Sequence, residues 1–277
     1  MTQEPIKPRQ GINSIDVGLK VLMELVSLGR PAALREIAEA ADMHPAKLHR
    51  YLVSFVRGGF VQQNVGDGRY DLGPQALTFS LGCLARLDAI RVGSQSLESL
   101  MEETQESVFI AVWGDAGPTV VDWQPARRAI AASTHTGTVF PLVMSSTGRV
   151  FAAYMSAPVM EPYLAQELKD LRGSSNPLAP ADRAELDGLL AEVRRRGLAR
   201  GLSIRIPGIN SFSVPVFDYR GKLAFALTAF GYEQTFDSGW QSPIATSLRA
   251  ASARLSRQLG HSESIQAQVE DPNRADD

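Results

Sequence analysis

Apolar residues recur at helical spacing from the start of the chain. Ile15, Leu19, Leu22, Met23 and Val26 form one stripe, behind an Asn13 or Ser14 able to cap a helix. Asp16 sits in the first turn, where the helix dipole favours a carboxylate. Gly29 and Pro31 stop this helix. A short second helix covers Leu34 to Ala41 and buries Leu34, Ile37, Ala38 and Ala41. Pro45 opens a third, which buries Leu48, Leu52 and Phe55 and ends at Gly58-Gly59. Two strand-like runs, Phe60 to Val65 and Arg69 to Leu72, flank Gly66-Asp67-Gly68, a hairpin signal. Three helices and a hairpin within about 75 residues read as a winged helix-turn-helix.

Gly73-Pro74 opens a helical stretch running towards Gly93. Leu77, Leu81 and Leu84 make one stripe, and Ala76, Ser80, Cys83 and Leu87 another. So wide an apolar surface calls for cover on more than one side, as in a connector packed on a partner helix. Beyond it strands and helices mix. Helices fit Ser94 to Glu106, Thr147 to Met155, Pro158 to Leu171, Asp182 to Arg196 and Ser242 to Leu259. Strands fit Val108 to Trp113, Thr119 to Trp123, Ala129 to Ser133, Phe212 to Phe217 and Leu223 to Phe230. Residues 1–10 read as a loose arm. The stretch beyond His261, with five acids and one Arg, reads as a disordered tail. The expected organisation is a winged helix-turn-helix at 11–73, a connecting helix at 74–93, a unit of mixed strands and helices at 94–260 and a tail at 261–277.

Composition narrows the picture. The length of 277 residues suits about two domains. Hydrophobic residues at 44% and charged residues at 21% permit ordinary globular cores. No apolar run approaches the roughly 20 residues of a membrane span, and MTQEPIKPRQ lacks the apolar core of a secretory signal. One cysteine, Cys83, excludes an internal disulfide. On its apolar helix face it reads as packing, and the expected compartment is the reducing cytoplasm. The net charge of −2 excludes a uniformly basic protein, so the placement of charge matters.

Between Asp42 and Asp67 there is no acidic residue, yet the interval holds His44, Lys47, His49, Arg50 and Arg57. Lys47, Arg50, Ser54 and Arg57 share the helix face opposite Leu48, Leu52 and Phe55. A cationic helix beside a hairpin is what a major-groove reader needs: the helix edge reaches bases while Arg and Lys neutralise phosphates. The candidate DNA-contacting residues are His44, Ala46, Lys47, His49, Arg50, Ser54 and Arg57, with Arg69 reaching from the hairpin. A solvated surface helix is the plain alternative, and the surrounding pattern of elements argues against it.

Three segments then carry a resemblance. The first is Ser14 to Leu22 with Leu34-Arg35-Glu36-Ile37-Ala38 and Leu48-His49-Arg50-Tyr51-Leu52. The second is Gly137-Thr138-Val139-Phe140-Pro141-Leu142 continuing to Ser146-Thr147-Gly148-Arg149. The third is Val214-Pro215-Val216-Phe217-Asp218 with Gly221 and Ala224 to Gly231. In this order and spacing, residues 11–260 resemble the IclR family of bacterial transcription regulators. The resemblance implies an α/β chain: an N-terminal winged helix-turn-helix, a linker helix that helps dimerisation, and a C-terminal α+β effector domain of PAS/GAF-like type. It implies as partners a double-stranded DNA operator, a small organic acid or aromatic effector, and a second copy of the chain, as dimer or dimer of dimers. By position it places the effector near Leu142, Ser146, Thr147, Ser213, Pro215, Thr228 and Phe230.

The residues support part of that assignment. Ser146-Thr147-Gly148 begins a helix, whose oriented N–H groups favour a carboxylate; a plain helix cap is the bland alternative. Arg149 is the nearest cation in that stretch. Phe230 stands where some acid-binding members have a small hydroxyl residue. With Trp113, Phe140 and Phe225 on nearby strands it points to an aromatic or larger apolar acid. His44-Pro45-Ala46-Lys47 replaces the Pro-Lys-Ser-Thr of many members, so operator preference need not follow a familiar site.

Enzyme readings are weak. There is no Gly-x-Ser-x-Gly elbow, no phosphate loop and no dinucleotide fingerprint. His44, His49, His135 and His261 are too scattered for a metal site, and His135 reads as surface. Arg194-Arg195-Arg196 reads as a helix end. No catalytic residue, metal or cofactor is expected. The expected function is a ligand-responsive regulator of a catabolic operon. The alternative is a PAS/GAF-type sensor or enzyme whose N-terminal helices mediate only protein contacts.

Overall fold

A computed structural model describes residues 11–127, 134–172 and 177–262. The chain divides into two compact units, which meet between Leu87 and Asp88. The first unit holds α1 (Asn13–Leu28), α2 (Leu34–Ala40), α3 (Pro45–Arg57), the hairpin β1 (Val61–Gln63) and β2 (Tyr70–Leu72), and α4 (Pro74–Leu84). Its core gathers Val21, Leu25, Ile37, Leu48, Leu52, Val61 and Tyr70. The hairpin pairs Val61 with Leu72 and Gln63 with Tyr70, and Tyr70 bridges Ala32, so the wing is stitched to the α1–α2 connection. Gly68, at φ +73°, supplies the left-handed turn residue that glycine adopts without strain.

The second unit holds α5 (Ala89–Ser94), α6 (Leu97–Thr104), β3 (Ser107–Gly114), β4 (Gly117–Gln124), α7 (Ser146–Tyr154), α8 (Ala157–Leu171), α9 (Arg183–Arg196), β5 (Ala199–Leu202), β6 (Ile209–Phe217), β7 (Leu223–Tyr232) and α10 (Pro243–Gln258). The strands form one antiparallel sheet in the order β4-β3-β7-β6-β5. Helix α7 packs on β6 and β7, and α8 and α9 complete that side around Phe151, Met160, Leu164 and Leu190. Helix α10 packs on β6 with α6 beside it. Both helical layers bond to β6: the hydroxyls of Ser211 and Ser213 reach Ser146 and Thr147 on α7, while the backbone N–H of Phe217 donates to Ser256 on α10.

Several local expectations are corrected. Helix α1 is capped by Ile12, without a side-chain bond, and both Asn13 and Ser14 lie inside it. Its buried face is Gly18, Val21 and Leu25; Ile15, Leu19 and Met23 are 54–60% exposed. The expected linker helix to Gly93 is two helices, because Asp88 caps α5 by accepting from the N–H of Arg91 at 3.0 Å. Helix α4 buries none of its residues, and Cys83 is exposed rather than packed. Strand β5 was not expected. The expected strand at Ala129 to Ser133, the arm at 1–10 and the tail from residue 263 on lie outside the described residues.

Candidate DNA-reading face and effector cavity

Helix α3 presents its cations as an open row. Its N-terminus is capped by His44, whose Nδ1 accepts from the N–H of Ala46 at 3.3 Å, and Pro45 fills the first position, which needs no N–H. Leu48 and Leu52 are fully buried, which turns Lys47, Arg50, Ser54 and Arg57 outward; all four are exposed, as are Ala46 and His49. None of Lys47, Arg50 and Arg57 makes an ion pair among the described residues. Lys47, Arg50, Tyr51 and Ser54 line a shallow groove with Ser14. Arg69 is partly engaged: its Nη1 donates to the carbonyl of Pro31 at 3.2 Å and lies 3.8 Å from Glu36. The guanidinium of Arg30, at 2.6 Å, and the Ala33 N–H hold the Glu36 carboxyl below the usual range. His44 caps the helix through Nδ1 and remains exposed beside these cations.

In the second unit a small, partly open cavity of about 40 Å³ lies between the sheet and the start of α7. Phe109, Phe140 and Phe230 form an aromatic wall, with ring centroids 5.1 and 5.7 Å from Phe109. Below it runs a cluster of hydroxyls. Ser146 and Ser211 lie 2.7 Å apart, Thr147 and Thr228 3.0 Å apart, and Ser213 joins Ser146 at 2.9 Å to Thr228 at 2.7 Å. Ser145, rather than Ser146, caps α7: its Oγ accepts from the N–H of Gly148 at 2.8 Å and donates to the carbonyl of Pro141. The N–H groups of Ser146 and Thr147 remain at the helix start, without a partner among the described residues.

The cavity's cation is Arg205, on the loop between β5 and β6. Its guanidinium stacks over Phe140 at 4.1 Å, and burial pushes its pKa down. The sequence carries no signal for this role, since Arg205 lies 59 positions from Ser146 in a loop without a motif. Arg149 faces elsewhere: its Nε donates to the carbonyl of Val143 at 2.9 Å. Of the eight expected effector positions, Ser146, Thr147, Thr228 and Phe230 line the cavity, and Leu142, Gly148, Ser213 and Pro215 do not. The Leu142 and Val143 N–H groups both donate to Glu167 of α8, at 2.7 and 2.9 Å, which straps this loop in place. Gly148 is needed for close packing, since a Cβ there would overlap the Pro141 carbonyl. Ser213 sits behind the wall, tying Ser146 to Thr228. Pro215 lies farther along β6. Trp113 packs against Phe151 and Tyr163, and Phe225 against Gly93, so both rings belong to the core.

Among the described residues neither site gathers a catalytic constellation. The described cavity lining has no His, Asp, Glu or Lys to activate a hydroxyl. His135 is exposed, its Nδ1 2.9 Å from the Thr136 carbonyl, and no group of three His, Cys, Asp or Glu side chains gathers as for a metal among the described residues.

An exposed cationic helix in a winged unit, joined in one chain to a unit of antiparallel sheet and helices, defines a DNA-binding transcriptional regulator. Residues 14–65 match the IclR helix-turn-helix domain, and residues 81–257 match the C-terminal domain of the bacterial transcriptional regulator IclR. The chain belongs to the IclR family. The crystal structure of Pseudomonas aeruginosa HmgR is 34% identical with a TM-score of 0.82, covering 91% of this chain and 100% of that one. The HTH-type transcriptional regulator BhcR of Paracoccus denitrificans is 25% identical over 89% of this chain and 87% of its own. The DNA-binding transcriptional repressor YiaJ of Escherichia coli is 23% identical, over 94% and 92%. The match at residues 14–65 disfavours the alternative in which the N-terminal helices serve only protein contacts. No described helix is long and apolar enough to cross a membrane.

Proposed function

We propose that this chain is a homodimeric, cytoplasmic, ligand-responsive regulator of genes for breaking down an aromatic or other small organic acid. Lys47, Arg50 and Arg57 hold operator DNA, with Ala46, His49 and Ser54 at the same edge of α3. A small acid binds the second unit, its carboxylate between Arg205 and the N–H groups of Ser146 and Thr147, its body against Phe109, Phe140 and Phe230. The observation carrying the reading is that one cavity joins an aromatic wall, a cation and a helix start. The chain acts as a sensor rather than an enzyme, since its buried hydroxyls bond to one another with no base beside them.

The domain plan is 11–73 for DNA, 74–93 for the linker and 94–260 for the effector. A second copy covers the linker: Leu77, Phe79 and Leu81 on α4 are 56–65% exposed, as are Ile15, Leu19 and Met23 on α1 at 54–60%, an apolar extent that single soluble units rarely leave open. Calorimetric titration of the full chain with a panel of aromatic and aliphatic acids tests the effector reading. The expected ligand loses at least ten-fold in affinity in Arg205→Met, and in Phe230→Ser it yields to smaller, more polar acids. A ligand indifferent to both substitutions places the pocket elsewhere.

A further inference from the structure

A second concavity in the same unit has a different chemistry. Arg149, on the first turns of α7, is only 7% exposed. Its Nε is spent on the Val143 carbonyl, and its two Nη atoms have no acceptor among the described residues. Burial lowers its pKa and no carboxylate offsets that effect. Among the described residues no fully buried side-chain nitrogen lacks a partner, so the Nη atoms keep contact with solvent, and a guanidinium this deep with no carboxylate partner offers its fork to an anion there. Arg149 opens into a groove of about 320 Å³ between α9, β5 and Trp240. Leu189, Val193, Leu202 and Ile204 make its apolar walls. Trp240 closes one end, held between the guanidinium carbons of Arg196 and Arg200 at 4.0 and 4.1 Å. Arg200 also lines the groove and is anchored to the Ser238 carbonyl at 3.2 Å.

We infer that this groove is a second ligand site, taking a monocarboxylate whose two oxygens meet the Nη pair of Arg149 and whose short apolar body lies along Leu189, Val193 and Leu202. The planar fork of a guanidinium matches a carboxylate bidentately. The groove's two carboxylates favour a single negative charge over a dianion: Glu192 is bound to Arg196 at 2.8 Å, and Glu185 accepts from the Ala181 N–H at 2.7 Å. The site is wired to the first cavity by two short links. Ile204 lines both, next to Arg205, and Arg149 follows Ser146 and Thr147 within α7. Occupancy of the groove therefore bears on the loop that carries the cavity's cation.

The test is calorimetric titration of the full chain with hexanoate, and with 1-hexanol as the uncharged control. With the first cavity's cation removed by Arg205→Met, hexanoate is expected to bind saturably at one site per chain, and hexanol not to bind. Leu189→Trp, which fills the groove and leaves Arg149 in place, and Arg149→Gln should each weaken hexanoate at least ten-fold, while Phe230→Ser in the first cavity leaves it unchanged. The Trp variant keeps the test sound if loss of the Arg149–Val143 bond unfolds the Gln variant. Absence of saturable hexanoate binding, equal binding of hexanol, or binding lost in Phe230→Ser and kept in Leu189→Trp overturns the inference. The last result would leave the effector reading of the first cavity intact.

Discussion

Arg205 lies over Phe140, its guanidinium carbon 4.1 Å from the ring centroid, at the wall of a cavity with no carboxylate among its described lining residues. The loop that carries Arg205 is braced. Ser203, at φ +50°, donates from its Oγ to Glu233 at 2.8 Å and accepts from the Gly208 N–H at 3.1 Å. The ring offers a cation–π contact in place of a counter-ion. An acid entering the cavity thus meets a held, desolvated charge.

Arg205→Met should accordingly cost a carboxylate ligand about 1.5–3 kcal/mol, the worth of a hydrogen bond to a charged group, and leave the corresponding amide's affinity unchanged. Paired titrations with acid and amide check this. Equal losses for both would assign Arg205 a shaping role.

The linker prediction rests on exposed apolar area. Leu81→Glu would put a charge where the account seats a second copy, and should raise the dimer dissociation constant at least ten-fold with the circular dichroism spectrum unchanged. Sedimentation velocity over a concentration series reads this. An unchanged constant would show that α4 faces solvent in the assembled protein.

Gly148 sits against the Pro141 carbonyl, so Gly148→Ala forces either α7 or the Glu167-strapped loop to move. Overpacking of this kind costs about 1–3 kcal/mol, and denaturant unfolding should show it as a lower midpoint with the slope unchanged. A midpoint equal to that of the wild type would mean the loop shifts freely.

Glu106 gives a pH signature. It is 9% exposed, and burial raises its carboxyl to about 7 from the ordinary 4.5. The folded chain keeps this proton while the unfolded chain releases it. Stability from this group is therefore complete below about 4.5, declines as pH rises towards about 7, and is flat above. Glu106→Gln should remove that decline, so the variant gains on the wild type between pH 5 and pH 8 in thermal unfolding. Parallel curves for the two proteins would contradict the assignment.

Much of this was legible in the chain because apolar spacing and turn residues act locally. The α2–turn–α3 pattern, the hairpin around Gly68 and the strands β3, β4, β6 and β7 needed only period and punctuation. The α1 stripe failed for a packing reason. Its buried face is centred on Gly18, where an added Cβ would come within 3.1 Å of Phe55, and a count of apolar residues overlooks a glycine that lets two helices approach. The cap of α7 slipped by one residue because Ser145, Ser146 and Thr147 all suit that role, and only the Pro141 carbonyl chooses among them. Strand β5, Ala-Arg-Gly-Leu, has almost no apolar signal and is defined by its pairing with Ser211 and Phe212. Arg205 reaches the cavity through tertiary structure alone, while its nearest competitor in sequence, Arg149, turns away.

The central claim is that the α3 face binds operator DNA. Its most direct test selects duplexes from a random library with the full chain, then measures anisotropy binding of the selected site across a salt series, for the wild type and for Arg50→Ala. The account predicts an inverted repeat with half-sites about 34 Å apart or a multiple of it. It also predicts binding that weakens linearly in log salt. In the variant, either affinity falls by about 1–3 kcal/mol or the salt slope flattens by about one. Selection of no site, or a site bound by Arg50→Ala with unchanged affinity and slope, would contradict it.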